Sequence, residues 1–123
     1  MIRATAFSIT ALLLAAPALG ATYPVQGRWG QSDSSDKGPV DCAKLRVISF
    51  NGDQRTDSRG GVAAFRNVSV TPDGTKAFKV VDQFTNGQVR DGRVNYTLRQ
   101  SSDPDRIEMN QQMGGTIKLQ RCK

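Results

Sequence analysis

The chain of 123 residues has no histidine. That removes the Ser-His-Asp and Cys-His nucleophile systems and most transition-metal sites. An enzyme built from this sequence would have to work with carboxylates, lysine or tyrosine alone. The expectation is therefore a non-catalytic protein with no metal and no cofactor. Two cysteines, Cys42 and Cys122, cannot supply the four ligands of a structural zinc. In an exported chain such a pair reads as a disulfide. The acidic run DSSDKGPVD (33–41) resembles a calcium loop only in part. Lys37 and Lys44 stand where that loop needs oxygen ligands.

The one constellation that could hold a ligand is Arg66, Asp82 and Arg90, and its existence depends on strand register. Turn signals recur along the chain: NGD (51–53), SRGG (58–61), PDG (72–74), TNG (85–87), SSDPD (101–105) and GG (114–115). Between them lie segments rich in Val, Ile, Phe, Thr and Tyr without a helical apolar period. This predicts an all-β fold, a small antiparallel meander forming a barrel or a strongly curved sheet of seven or eight strands. Strands are expected at about 27–31, 43–51, 62–71, 75–84, 88–99, 106–111 and 116–122, with a weak polar one at 54–58.

Three-residue loops at 72–74 and 85–87, each ending in glycine, would fix two hairpins. That register puts Val62, Ala64, Val68, Val70, Phe78, Val80, Phe84, Val94, Tyr96 and Leu98 on one face. The last strands would add Ile107, Met109, Ile117 and Leu119. The same face receives Arg66, Asp82 and Arg90, with Asp82 directly opposite Arg90 and diagonal to Arg66. Such a cluster is either a polar cup for a small anionic ligand or an ion pair at the sheet rim.

Residues 1–20 read as a cleaved signal peptide: Arg3, a short apolar stretch broken by Pro17, and small residues at Ala18 and Gly20. The apolar stretch is shorter than the roughly 20 residues that span a bilayer, so no transmembrane segment is expected. Residues 21–123 would then form a single periplasmic or secreted domain. The chain is basic, with 17 Lys and Arg against 11 Asp and Glu. The positive residues are dispersed, and an exported protein seldom meets nucleic acid, so no nucleic-acid partner is expected.

Gly27-Arg28-Trp29 opens the first strand and Arg121 lies on the last. This pairing resembles the calycin group of barrels: lipocalins, avidins, fatty-acid-binding proteins and bacterial metalloprotease inhibitors. The resemblance implies that Trp29 plugs the closed end of a barrel with the Arg121 cation across its ring. The chain also resembles small exported proteobacterial β proteins that begin with Gly-x-Trp and end in Arg-Cys. A Cys42–Cys122 bond would differ from the inhibitors, whose disulfide is confined to the first half. Three functions fit these features. The first is a non-catalytic binding module with a small anionic ligand near Arg66, Asp82 and Arg90. The second is an inhibitor of an exported protease or other hydrolase, acting through the short arm at 21–25 or a loop. The third is a basic cell-envelope accessory protein.

Overall fold

A computed structural model describes residues 21–123; the signal-peptide reading of residues 1–20 falls outside them. Eight strands run in chain order: β1 (Gly27–Gln31), β2 (Val47–Asn51), β3 (Gln54–Asp57), β4 (Phe65–Pro72), β5 (Ala77–Phe84), β6 (Gly92–Gln100), β7 (Arg106–Gln111) and β8 (Gly115–Arg121). Each pairs antiparallel with the next, and β8 returns to β1 through Trp29–Arg121, Gly30–Gln120 and Gln31–Leu119. The sheet closes into a barrel with no free edge, which removes the row of unpaired backbone groups that an open sheet would expose. The closed antiparallel barrel is compatible with a calycin-like architecture. No helix among the described residues is long and apolar enough to cross a membrane.

The all-β expectation holds, and its apolar positions on the last four strands are those of the core. Val80, Tyr96, Leu98, Ile107, Met109, Ile117 and Leu119 pack inward with Trp29, Ile48 and Phe50. The expected hairpin loops were both too short. Asp73 N–H donates to Ala77 O, so the first loop is 73–76 and Val70 faces Val80. In the second, the Asn86 side chain accepts from the Gln88 and Val89 N–H groups. That local turn delays β6 to Gly92 and sets Asp82 opposite Val94. The shift is even, so β6 keeps its inward face.

On β4 the parity does change. A bulge between Asn67 and Ser69 inserts one residue and reverses the alternation below it. Phe65 and Asn67 turn inward, and Arg66 turns out to solvent. Asn67 is itself the staple of this bulge: its Nδ2 lies 3.2 Å from both Ser69 O and Val81 O.

The two ends of the barrel differ. At one end the N-terminal arm folds under the barrel. Tyr23 and Val25 are buried in the core, and the Tyr23 ring meets Phe50 edge-on at 5.0 Å. The arm at 21–25 is thus part of the barrel's floor and not a free extension. Gln26 locks it there, exchanging side-chain hydrogen bonds with both backbone groups of Gly52. Trp29 sits above, donating from Nε1 to Gln26 O. Arg121 Cζ lies 4.4 Å from the center of the Trp29 ring, and Arg121 Nε pairs with Asp105 at 3.0 Å. Gly27 adopts φ +98°, and a Cβ there would come within 3.4 Å of Arg121 Nη1. Both facts favour glycine at the first position of Gly-Arg-Trp.

The opposite end is open, ringed by the loops at 58–64, 85–91 and 112–114. Between β1 and β2 the chain makes a strap (32–42) over the outer face of β8. Gln120, buried although it points outward, donates to Asp36 O and Gly38 O, and Arg106 donates to Ser34 O and Asp36 O. The Cys42–Cys122 disulfide, Cα–Cα 5.5 Å, fastens the strap's end. A Cβ on Gly30 would fall 2.6 Å from Cys42 Sγ, so glycine lets the bond lie flat against β1. Closing a loop of 80 residues contributes about 4 kcal/mol in the chain-entropy model.

Candidate functional site

Inside the barrel, just below the open end, sits a charged cluster that the apolar pattern of the sequence does not announce. Asp82 on β5 is fully buried. A carboxylate in that position must be paired and hydrogen-bonded, and it is. Arg55 Nε donates to Oδ2 at 2.8 Å, the Tyr96 hydroxyl donates to the same oxygen at 2.7 Å, and Asn67 Nδ2 approaches Oδ1 at 3.2 Å. Each donor comes from a different strand: β3, β6 and the bulged turn of β4.

Asp82 thus faces inward, as the sequence suggested, but the cluster with Arg66 and Arg90 does not form. Arg66 is turned outward by the β4 bulge, and Arg90 lies in the exposed loop before β6. Their place is taken by Arg55, on the short polar strand whose period was weakest. One signal could have found it: Arg55 is two residues from Asp57 on an alternating segment, and Asp82 needed a cation. The β3 register puts Arg55 opposite both Phe50 and Phe65.

Arg55 is held on three sides. Its Cζ stacks 3.8 Å from the center of the Phe65 ring and 5.0 Å from that of Tyr96, contacts worth up to about 2 kcal/mol when desolvated. Burial alone would pull its pKa down; Tyr96 and Asp82 beside it outweigh that and hold it above the ordinary arginine value. Only Nε is used by Asp82. Among the described residues neither Nη atom has a hydrogen-bond acceptor, although the residue is just 5% exposed.

Arg55 lines a cleft of about 470 Å³ that opens at the barrel mouth. Phe65, Val94, Tyr96 and Met109 supply apolar walls, and Arg46, Arg59 and Arg93 ring the way in. Arg46 is committed to Asp57, through Nε at 3.0 Å and Nη2 at 2.6 Å. Burial would raise the Asp57 pKa, but the Arg46 hydrogen bonds and the Arg59 N–H outweigh it and hold it below the usual carboxylate range. Arg59 and Arg93 have no carboxylate within 4.0 Å among the described residues. The cleft therefore has an excess of cationic side chains over a partly apolar wall, and the most buried charged residue lining it is Arg55.

Asp82 organizes this cluster. Replacing it by alanine should leave Arg55, the Tyr96 hydroxyl and the Asn67 amide without their shared acceptor and cost about 3–5 kcal/mol, read from urea unfolding. Arg66→Ala and Arg90→Ala, which remove exposed side chains, should each stay within about 0.5 kcal/mol of wild type.

Both tyrosines of the chain are in the interior. Burial pushes the Tyr96 phenol far above its ordinary value, and burial with the nearby Asp82 charge does the same for Tyr23. The native state keeps protons there that the unfolded chain releases above about pH 10. Stability is thus intact below that pH and is lost as the pH rises beyond it. Phenolate absorbance should appear only together with unfolding; a tyrosine titrating near pH 10 in the folded barrel would contradict the placement. No family model, curated protein or solved structure matches this chain.

Proposed function

We propose that this protein is an exported, non-catalytic binding module that takes a small anionic ligand at the barrel mouth, with Arg55 as the anchor. The observation that carries the reading is Arg55 itself: a guanidinium that lines the cleft while nine-tenths buried, with Nε given to Asp82 and no hydrogen-bond acceptor on either terminal nitrogen among the described residues. A carboxylate or similar planar oxyanion can take both Nη donors at once. Asp82 neutralizes the arginine enough to let it be buried, yet leaves the Nη donors for a ligand. The cleft is of the size that holds a small organic molecule.

Catalysis has little to work with. The cleft's carboxylate, Asp57, is ion-paired, and the Tyr96 phenol is kept protonated and donates to Asp82. The burial of Tyr23 and Val25 speaks against the arm as an inhibitory element and leaves a loop as the route by which a hydrolase inhibitor would act. The signal-like residues 1–20 and the Cys42–Cys122 disulfide both fit a periplasmic or secreted location, where disulfides persist.

The test is calorimetric titration of the 21–123 protein with naphthalene-1-carboxylate, with the uncharged 1-naphthylmethanol as control. Arg55→Lys retains a cation for Asp82 but lacks the second pair of donors. The carboxylate should bind saturably to wild type and at least tenfold more weakly to Arg55→Lys, while the alcohol binds poorly to both. Equal affinity for wild type and Arg55→Lys would overturn the reading.

A further inference from the structure

The loops at the open end carry a second pattern, which shares Arg59, Arg93 and Met113 with the rim of the cleft. Among the described residues the large apolar side chains that stand exposed are Met113, 96% exposed, and Val89, 41% exposed. Met113 is in the β7–β8 loop and Val89 in the β5–β6 loop. Successive strands run antiparallel, so both loops emerge at the same end, the open one. Around them stand Arg59, Arg90 and Arg93, all exposed and none with a carboxylate within 4.0 Å. The nearby Asp91 accepts a hydrogen bond from Gln83.

The closed end has a different character. Its turns hold Asp53, Asp73, Asp103 and Asp105 beside the exposed Arg28, Lys76, Arg99 and Lys123, and Arg106 and Arg121 are paired to Asp103 and Asp105. Charges of both signs are interleaved there, and among the described residues no large apolar side chain stands exposed at that end. The open end is where unpaired arginines and exposed apolar tips occur together.

We infer that the open end docks on an anionic lipid bilayer, with Met113 and Val89 inserted between head groups and the three arginines at the phosphate level. A folded acidic protein would suit the charge but not the apolar residues. Those are two isolated tips on different loops, not the contiguous patch that a protein interface buries. Isolated apolar tips within a basic rim match what a bilayer surface accepts: shallow insertion plus attraction to anionic head groups. Docking there faces the cleft mouth toward the membrane. The inference goes beyond the anion site and stands without it, because vesicle binding is measured on the protein alone.

The test is co-sedimentation of the 21–123 protein with vesicles of phosphatidylcholine containing about a third phosphatidylglycerol. Wild type should bind these vesicles, lose binding as salt is raised, and ignore pure phosphatidylcholine. Arg90→Gln should weaken partitioning roughly fivefold, the effect expected for one basic residue at such a surface. Met113→Gln should weaken it several-fold, whereas Lys76→Gln, at the closed end, should have no effect. For depth, the indole introduced by Met113→Trp should be quenched by lipids brominated on their chains, while Trp29 in the wild-type protein is not. No binding to the anionic vesicles would overturn the inference. So would equal binding to neutral ones, binding unaffected by both Arg90→Gln and Met113→Gln, or quenching of Trp29.

Discussion

The Asp82 carboxylate, sealed inside the barrel, is the constraint on which much of the rest depends. An ion of this kind in an apolar interior loses several kcal/mol of hydration and persists only if the surroundings replace it. Here the replacement draws on three other strands. Arg55 must come from β3, Tyr96 from β6 and Asn67 from the bulged part of β4. The bulge exists in the register that brings Asn67, and not Arg66, to the inner face. The short polar β3 is tied into the barrel largely because its single inward cation is needed there. One buried charge thus fixes register on four strands, a role for which buried polar groups are better suited than apolar ones, since a slipped apolar strand still finds apolar neighbours.

Stability is supplied elsewhere. At the closed end Trp29, Phe50, Tyr23 and Val25 fill the interior, and Arg121 covers the tryptophan ring. The strap outside β8 is held by Gln120, Arg106 and the disulfide. This division leaves the open end free of packing duties. Its loops can be polar and cationic, and the space above Arg55 need not be filled by side chains.

Much of the fold was legible because a half-buried strand must alternate. The inward positions of β5 to β8 follow from period and from the even spacing of their turns, and an even error in the β5–β6 loop did no damage to them. The paired cysteines in a histidine-free chain were equally plain. The site was less legible for two physical reasons. A bulge changes parity without changing composition, so Arg66 and Asn67 exchanged faces with no trace in the pattern Arg-Asn-Val-Ser-Val. And the asparagine turn at Asn86 displaced β6 by four positions along β5, which removed Arg90 from Asp82 altogether. Gln54–Asp57 looked like a poor strand because its inward residue is an arginine. The buried carboxylate that makes that arginine acceptable lies 27 residues away.

The central claim is that Arg55 is both buried and chemically unfinished, its Nε given to Asp82 and its Nη edge kept for an anion. Nitrogen-15 spectroscopy of the arginine side chains during titration with naphthalene-1-carboxylate tests it most directly. The account predicts a slowly exchanging Arg55 Nε–H before any ligand is added, and Arg55 Nη resonances that sharpen and shift saturably as the carboxylate binds. Shifts confined to the exposed Arg59, Arg90 and Arg93, growing without saturation while Arg55 stays unchanged, would contradict it.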